Sequence, residues 1–512
     1  MSFLKKTMAL IAVSLFFTGI LFSAEYELKV LHTNDHHGHP IAFYDYPSDG
    51  QGGLAARATY VAQMRASNKN VLVLDAGDFN TGRPESTFFK AEPDILGYNY
   101  IGYDALSMGN HEFDNDWASM QKQIADSKFP WINANIKKNG STLDNVKPYI
   151  IKEYNGFKVA VFGLLTKETV ETGNPDYVKG LTFEDEVATA KKLVPELRKK
   201  ADIVIALVHM GLYDNDLEGS RKLAANVPGI DLIIDGHSHT MIKEPVVVKG
   251  IPIVQARHWG LYMGNGTLKI KDGKVVSFNW QLDPINVKNK EGFVGTEYKE
   301  DQVLLGKLAP FNEKVTAVLS EVIGTATDVF LNDNTRKEET AIGDIVSDSQ
   351  EWFMEKMGMD VDFAFQNGGG IRATLPAGTI QKQTVYEILP FDNSIAVITL
   401  TGNDVIALFD KAATNIGAGS MPQVSKGVKV TINAETKKVE KLTIDGKPVD
   451  PVKNYKIATN SYLAAGGDGY SVFKNGTNYY DSSLMQRDAF IDYVIFLGGK
   501  ISPKTDGRIT IK

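Results

Sequence analysis

Nine histidines, all placed before residue 259, constrain this chain of 512 residues more than any other feature. His32, His36, His37 and His39 crowd one short stretch; His111, His209, His237, His239 and His258 follow. Most stand beside Asp, Asn or Gly just after an apolar run. Asp35-His36-His37-Gly38 comes after Leu28–Leu31, Gly109-Asn110-His111-Glu112 after Ala105-Leu106, and His209 after Ile203–Val208. Gly236-His237-Ser238-His239 comes after Leu232–Ile234, and Gly77-Asp78 after Val71–Leu74. Short apolar runs read as buried strands, and α/β sheets gather their ligands beyond the carboxyl ends of strands. Carboxylates, an amide and imidazoles brought from several strand ends to one edge are the donors a two-metal centre needs. The rest of the chain has no histidine, so its chemistry must differ.

A chain of this length is expected to form more than one domain, each with its own core. Apolar residues at 43% and charged residues at 23% are ordinary for soluble globular protein. The net charge of −7 argues against a binder of nucleic acid polymers and against adhesion to anionic membranes. An anionic substrate would therefore need locally placed cations. Cysteine is absent, which excludes disulfides, thiolate ligands and a cysteine nucleophile. Lys5 and Lys6, the apolar stretch Met8–Phe22 and Ser23-Ala24 read as a signal peptide over residues 1–24. The stretch is short for a membrane span. The expectation is bacterial export to the periplasm or exterior, with no stable membrane insertion after cleavage.

Residues 25–300 alternate strand-like and helical patterns. The strands are expected at Tyr26–Leu31, Val71–Leu74, Trp131–Asn133, Lys158–Phe162, Ile203–Val208, Leu232–Ile234 and Ile253–Gln255. Helices are expected at Leu54–Ser67, Trp117–Ser127 and Phe183–Lys200. Residues 301–323 read as a linker, with Gln302–Ile323 forming a helix broken at Pro310. A second α/β pattern fills 324–512, with Gly-rich loops at 368–370 and 466–469.

Taken singly, each histidine motif is weak: Gly-Asp is often a turn, and a lone His at a strand end is often structural. The ordered set Asp-x-His-Gly, Gly-Asp, Gly-Asn-His-Glu, His, Gly-His-x-His is far more specific. With it the chain resembles the calcineurin-like metallophosphoesterases. More narrowly, it resembles the 5′-nucleotidase/UDP-sugar hydrolase family, through Thr33-Asn34-Asp35-His36-His37-Gly38 and Gly109-Asn110-His111-Glu112-Phe113-Asp114. The resemblance implies an N-terminal four-layered α/β/β/α sandwich, a linker helix and a C-terminal α/β nucleotide-binding domain. It implies that Asp35, His37 and His239 bind one divalent cation, that Asn110, His209 and His237 bind another, and that Asp78 bridges them. His111, oriented by Asp114, would stand beside the phosphate. Some relatives have Gln or Asn where this chain has His239. The donors suit Mn, Zn, Co or Fe. His32, His36, His39 and His258 are expected to be structural or to support the ligands.

In the second half, Asn367-Gly368-Gly369-Gly370-Ile371-Arg372 follows a strand, and Gly466-Gly467-Asp468-Gly469 follows Tyr462. Glycines let backbone approach a ligand, Gly370 included, and Arg372 can pair bidentately with phosphate. These motifs resemble the family's C-terminal domain. That implies a nucleobase between Phe391 and Tyr462, nucleoside contacts from Asn367 and Asp468, and phosphate or ribose contacts from Arg336 and Arg372. Many relatives have Phe at the position of Tyr462, and Asn at those of Ala465 and Ala341.

The expected function is metal-dependent release of phosphate from nucleoside 5′-monophosphates, with UDP-sugars or NAD as further substrates, in extracytoplasmic nucleotide salvage. The alternatives are a 2′,3′-cyclic nucleotide phosphodiesterase and a non-catalytic nucleotide-binding surface protein. The resemblance also implies a domain rotation, with its hinge near residues 305–330.

Overall fold

The computed structural model describes residues 25–45, 48–172, 175–213 and 216–512, so the expected signal peptide lies outside the described residues. In chain order, the two large sheets of the N-terminal half use β1 (Glu25–Thr33), β2 (Val71–Asp75), β3 (Ala105–Ser107), β4 (Trp131–Ile132), β5 (Tyr149–Tyr154) and β6 (Phe157–Leu165). They continue with β7 (Ile203–His209), β8 (Leu232–Ile234), β9 (Val246–Val248), β10 (Ile251–Val254), β11 (Tyr262–Lys271) and β12 (Lys274–Pro284). One sheet has the order β12-β11-β1-β2-β3-β4 and the other β9-β10-β8-β7-β6-β5. β1 to β4 run parallel, as do β6, β7, β8 and β10, and the outer strands pair antiparallel.

The strand sequences explain this arrangement. β7 is buried at every position, as Ile-Val-Ile-Ala-Leu-Val-His requires of a strand covered on both faces. Leu28, Val30, Leu72 and Leu74 of the first sheet pack against Val159, Val161, Ile203, Ile205 and Ile234 of the second. Helices Leu54–Ser67, Glu92–Ile101 and Trp117–Asp126 cover the outer face of the first sheet, and Glu186–Arg198 and Gly219–Asn226 that of the second. The result is the expected α/β/β/α sandwich.

Two expectations are corrected. The helix Gln302–Leu319 runs unbroken through Pro310 and ends before the strand Val322–Ala326. Gly306 and Pro310 lie on its exposed side, where water can solvate the carbonyl that the proline leaves unpaired. Leu304 and Leu308 hold the other side in the core of the N-terminal half. The expected helix Phe183–Lys200 starts later, at Glu186, because Asp185 caps it by accepting from the Ala188 N–H; Leu181–Phe183 is a strand. The hairpin of β11 and β12 was legible but not read. It turns at Asp272-Gly273, both with positive φ, the sequence and geometry of a tight two-residue hairpin.

In the C-terminal half, a five-stranded sheet orders Pro422–Val424, Phe363–Asn367, Asn454–Asn460, Ser394–Thr401 and Thr477–Met485. Helix Gly402–Ala413 packs on one face of it and Ala341–Lys356 on the other. Among the described residues, no helix is long and apolar enough to cross a membrane.

Candidate active site

The seven expected ligands converge. Asp35 and His37 follow β1, Asp78 follows β2 and Asn110 follows β3, while His209 ends β7 and His237 and His239 follow β8. Both sheets thus deliver side chains to one edge. The loops are zipped together by backbone: the N–H groups of Asp35, His37 and Gly38 donate to the carbonyls of Gly77, Asp78 and Phe79 at 2.8, 2.9 and 3.1 Å.

His239 Nε2 lies 3.3 Å from Asp35 Oδ1 and 3.1 Å from His37 Nε2. His37 Nε2 is 3.7 Å and His209 Nε2 3.0 Å from Asp78 Oδ2, and His237 Nδ1 is 2.9 Å from Asn110 Oδ1. Asp35, His37 and His239 form one group able to hold a cation, Asp78, His209 and His237 form another, and His37, Asp78 and His111 a third that shares members with both. Asp35, His37, Asp78, His237 and His239 all have positive φ, between 46° and 78°. Left-handed backbone at non-glycine residues costs about 1–3 kcal/mol each and persists only where the surroundings over-determine it.

The electrostatics fit bound cations. Burial opposes ionisation of Asp78, but His209 and His111 outweigh it and hold the carboxyl well below its usual range. Burial likewise opposes charge on His209, yet Asp78 pushes its pKa up to about 10. The pocket therefore draws positive charge into a buried place. His209 Nε2 is buried and, although within ion-pair distance of Asp78, makes no hydrogen bond. Such an orphaned nitrogen, facing carboxylate oxygens and a second imidazole, suits a divalent cation. The other ring nitrogens are held from behind, as metal-ligating histidines are: His209 Nδ1 lies 2.8 Å from the Ala76 carbonyl and His37 Nδ1 3.2 Å from that of Asn80.

His111 stands at the rim. Its Nδ1 is 2.6 Å from Asp114 Oδ2, and the His111 backbone N–H donates to Asp78 Oδ1 at 2.8 Å. Burial pulls its proton affinity down, but Asp114 and Asp78 raise it above the ordinary histidine value. Thr81 also donates to Asp114 Oδ2, at 2.5 Å. Glu112 escaped the sequence reading although it sits inside the quoted motif. Its buried carboxylate accepts from the backbone N–H groups of Asp78, Phe79, Asn80 and Gly109, stapling the two ligand loops together. The four remaining histidines lie behind or beside the ligands. His36 pairs with Asp94 at 2.8 Å, His39 Nδ1 faces the His37 carbonyl at 2.6 Å, His258 Nδ1 is 3.2 Å from His239 Nδ1, and His32 stacks on Trp280.

The C-terminal residues close over this edge. Arg336, Asn367, Gly370, Arg372, Phe391, Tyr462 and Asp468 line one cavity of about 1100 Å³ together with Asp78, Asn110, His111, His237 and His239. Arg372 Nη2 lies 3.1 Å from His37 Nε2, and the Phe391 ring stacks 5.7 Å from that of His111. Burial and then Arg336 lower the Arg372 pKa to about 10, against the opposing pull of Asp78, Asp114 and Asp35, so two guanidiniums crowd together at the cavity. Asn393 lines the same cavity and was not singled out from the sequence. The 368–370 glycines also answer to the protein's own packing: a side chain at Gly368 would meet the Thr335 carbonyl, and one at Gly370 the amides of Gln366 and Asn367.

Comparison with known proteins covers both halves. A family profile described as calcineurin-like phosphoesterase matches residues 28–241, and one described as 5′-nucleotidase, C-terminal domain matches residues 322–475. Protein UshA of Escherichia coli (strain K12) is 35% identical over 92% of this chain and 91% of its own length. A 5′-nucleotidase of Vibrio cholerae is 34% identical over 92% and 90%. A 5′-nucleotidase precursor from Thermus thermophilus superposes with a TM-score of 0.86 at 28% identity, covering 95% of this chain and 99% of that one.

Proposed function

The chain belongs to the 5′-nucleotidase family, in which a calcineurin-like phosphoesterase domain is joined to a 5′-nucleotidase C-terminal domain, and on that premise we propose that it hydrolyses nucleoside 5′-monophosphates to nucleoside and phosphate. It is a hydrolase of phosphoric esters acting on nucleotides. The observation that carries the finer reading is the meeting of the halves: Arg372 reaches the His37 ring while Phe391 stacks on His111. Phosphate-binding cations and a base-stacking ring thus share one cavity with the metal-ligand cluster.

Asp35, His37 and His239 would hold one cation, Asn110, His209 and His237 a second, and Asp78 both. Two divalent cations of the Mn, Zn, Co or Fe kind would supply Lewis acidity at phosphorus and activate the attacking water. Arg336 and Arg372 bind the phosphate and orient it. His111, with Nδ1 turned to Asp114, presents Nε2 to the cavity and holds a proton there for a phosphoryl oxygen as charge grows. Phe391 and Tyr462 grip the base, whose identity can vary because stacking tolerates any ring. A cavity of about 1100 Å³ has room for UDP-sugars and NAD, which we propose as further substrates. The same in-line attack on phosphorus serves each, and only the leaving group changes. We place the enzyme outside the cytoplasm, where it turns impermeable nucleotides into nucleosides for uptake; its basic-then-apolar N-terminus supports this.

The test is an assay of the purified chain with Mn²⁺, Co²⁺ or Zn²⁺ against AMP, UDP-glucose, NAD and 2′,3′-cyclic AMP, identifying every product. Phosphate released from AMP is the expected result. Hydrolysis of the cyclic substrate alone, or of none, would overturn the reading.

A further inference from the structure

We infer that His258 is a positioning residue for the cation of Asp35, His37 and His239: it accepts the Nδ1 proton of His239 and so leaves the His239 Nε2 lone pair for the metal. The inference rests on the two-cation reading above, and it gives work to a histidine that the proposed mechanism does not use.

A ligand imidazole offers one nitrogen to the cation and turns the other to the protein. In His37 and His209 that second nitrogen meets a backbone carbonyl. His239 differs. Its Nδ1 lies 3.2 Å from His258 Nδ1, and the two rings meet edge to face with centroids 4.9 Å apart. A carbonyl can only accept, so it fixes the tautomer of the ring in front of it. An imidazole can donate or accept, so two arrangements compete here. If His258 donates, the His239 proton sits on Nε2, the atom 3.3 Å from Asp35 Oδ1 and 3.1 Å from His37 Nε2, and blocks it. If His258 accepts, that atom is free for the cation. Among the described residues, His258 Nε2 is buried and makes no hydrogen bond, so no other contact commits the ring to the blocking arrangement. A cation at His239 therefore selects both tautomers together.

The backbone places His258 for this contact. The Arg257 N–H donates to the Thr240 carbonyl at 3.1 Å, one residue beyond His239, and the Trp259 N–H donates to the Asp35 carbonyl at 2.7 Å. Asn34 Nδ2 donates to the Arg257 carbonyl as well. The residue between Arg257 and Trp259 is thus strapped to the loops of two ligands of the same cation. Arg257 and Trp259 each have φ 60°, left-handed backbone that large side chains adopt only where the surroundings impose it. The Trp259 indole supports the His258 ring at 4.1 Å between centroids and stacks on His39 at 4.7 Å on its own account. Among the described residues, the ring contacts of His258 are with His239 and Trp259 and not with His209 or His237, so the effect belongs to one cation alone.

The experiment dialyses the full chain to equilibrium at fixed free Co²⁺, measures bound metal by mass spectrometry and records the Co²⁺ absorption spectrum. The proteins are wild type, His258→Phe, His258→Gln, His239→Gln and His239→Gln with His258→Phe. Phenylalanine keeps a ring against Trp259 and removes the acceptor, whereas glutamine returns an acceptor oxygen. Wild type is expected to hold both cations. His258→Phe should weaken one of them by about 10–100-fold, the usual cost of losing the group behind a ligand histidine, and leave the other within about twofold. His258→Gln should stay within about threefold of wild type for both, with a wild-type spectrum. In the His239→Gln background, which has no ring nitrogen to hold, His258→Phe should add less than about twofold. Full affinity in His258→Phe, an equal loss in His258→Gln, or an undiminished loss in the His239→Gln background would each overturn the inference. Melting in excess chelator reads the fold without metal and should match wild type. If His258→Phe does not fold, His258→Ala against His258→Gln makes the same comparison, and only glutamine should keep both cations. This pattern in a protein that hydrolyses no nucleotide would sustain the inference and sink the proposed activity. A wild type that binds no Co²⁺ would sink the cation reading and the inference with it.

Discussion

His111 separates two tasks that most residues of the cluster combine. Its imidazole lines the cavity with Nδ1 held by Asp114, while His37 and His209 of the proposed ligands are braced by the backbone carbonyls of Asn80 and Ala76. Replacing it with alanine should lower kcat about 10²-fold or more, the usual cost of a lost acid or oxyanion donor. Metal content measured by mass spectrometry should stay at the wild-type level. Unchanged turnover with metals retained would remove His111 from the mechanism. At the same scale, the meaning of single residues was only partly legible. His36 is the unspecified position of Asp-x-His, yet it is fully buried and tied to Asp94 and Arg57 beneath the ligands. Nothing in its spacing announces such partners, because Asp94 and Arg57 come from helices elsewhere in the chain.

Among the elements, the helix Ala341–Lys356 carries an acid in its first turn that works against it. Asp344 is buried, and neither carboxylate oxygen makes a hydrogen bond, although Arg508 lies 3.6 Å away. Burial is the largest cause that pushes its pKa up to about 8; Arg508 opposes the rise and Glu339 adds to it. The unfolded value is near 4, so the folded state binds the extra proton. The stability this group contributes is then fully present below about pH 4 and is lost as pH rises through 8. Asp344→Asn should flatten the decline of Tm between those limits and stabilise the protein at pH 9. A variant whose melting curve still tracks wild type across that range would show that Asp344 does not titrate there. Element boundaries were readable where an unbroken apolar run marks them, as at Leu232–Ile234, and the helix Leu54–Ser67 was also placed although no side chain caps its start. They were not where Pro310 suggested a break, since solvent exposure decided what the proline cost.

For the whole molecule, the halves meet through more than the cavity. Arg83 Nη2 lies 2.9 Å from Glu387, Gln383 donates to Glu85 at 3.0 Å, and Phe88 packs edge-on against Tyr386. If substrate enters and product leaves by rotation of one half, fixing this contact should stop turnover. The chain has no cysteine, so Phe88→Cys with Tyr386→Cys offers a unique thiol pair for a short bifunctional reagent. Cross-linking is expected to cut turnover at least about tenfold, measured against the unlinked double variant; full activity when linked would count against rotation. Metal removal tests the other global coupling. A ligand that binds only the folded state stabilises it by mass action. Dialysis against a chelator should therefore lower Tm, and Mn²⁺ should restore it. An unchanged Tm, with the metal shown to be gone, would mean that the folded cluster does not bind it.

The sequence alone determined the alternation of strands and helices, and which polar residues follow which strand. Both are local properties: an apolar run excludes water, and a Gly-Asp or Asn-His just past it has nowhere to go but the sheet edge. It also determined the order of motifs through which the family could be named. Only the tertiary structure decided that two sheets share one edge, bringing Asp78 within 3.0 Å of His209. It alone decided that Glu112 staples the loops and that His258 stands behind His239. Those are contacts between segments, set by how buried faces stack and by which donors remain unpaired once they do. No periodicity along the chain encodes them.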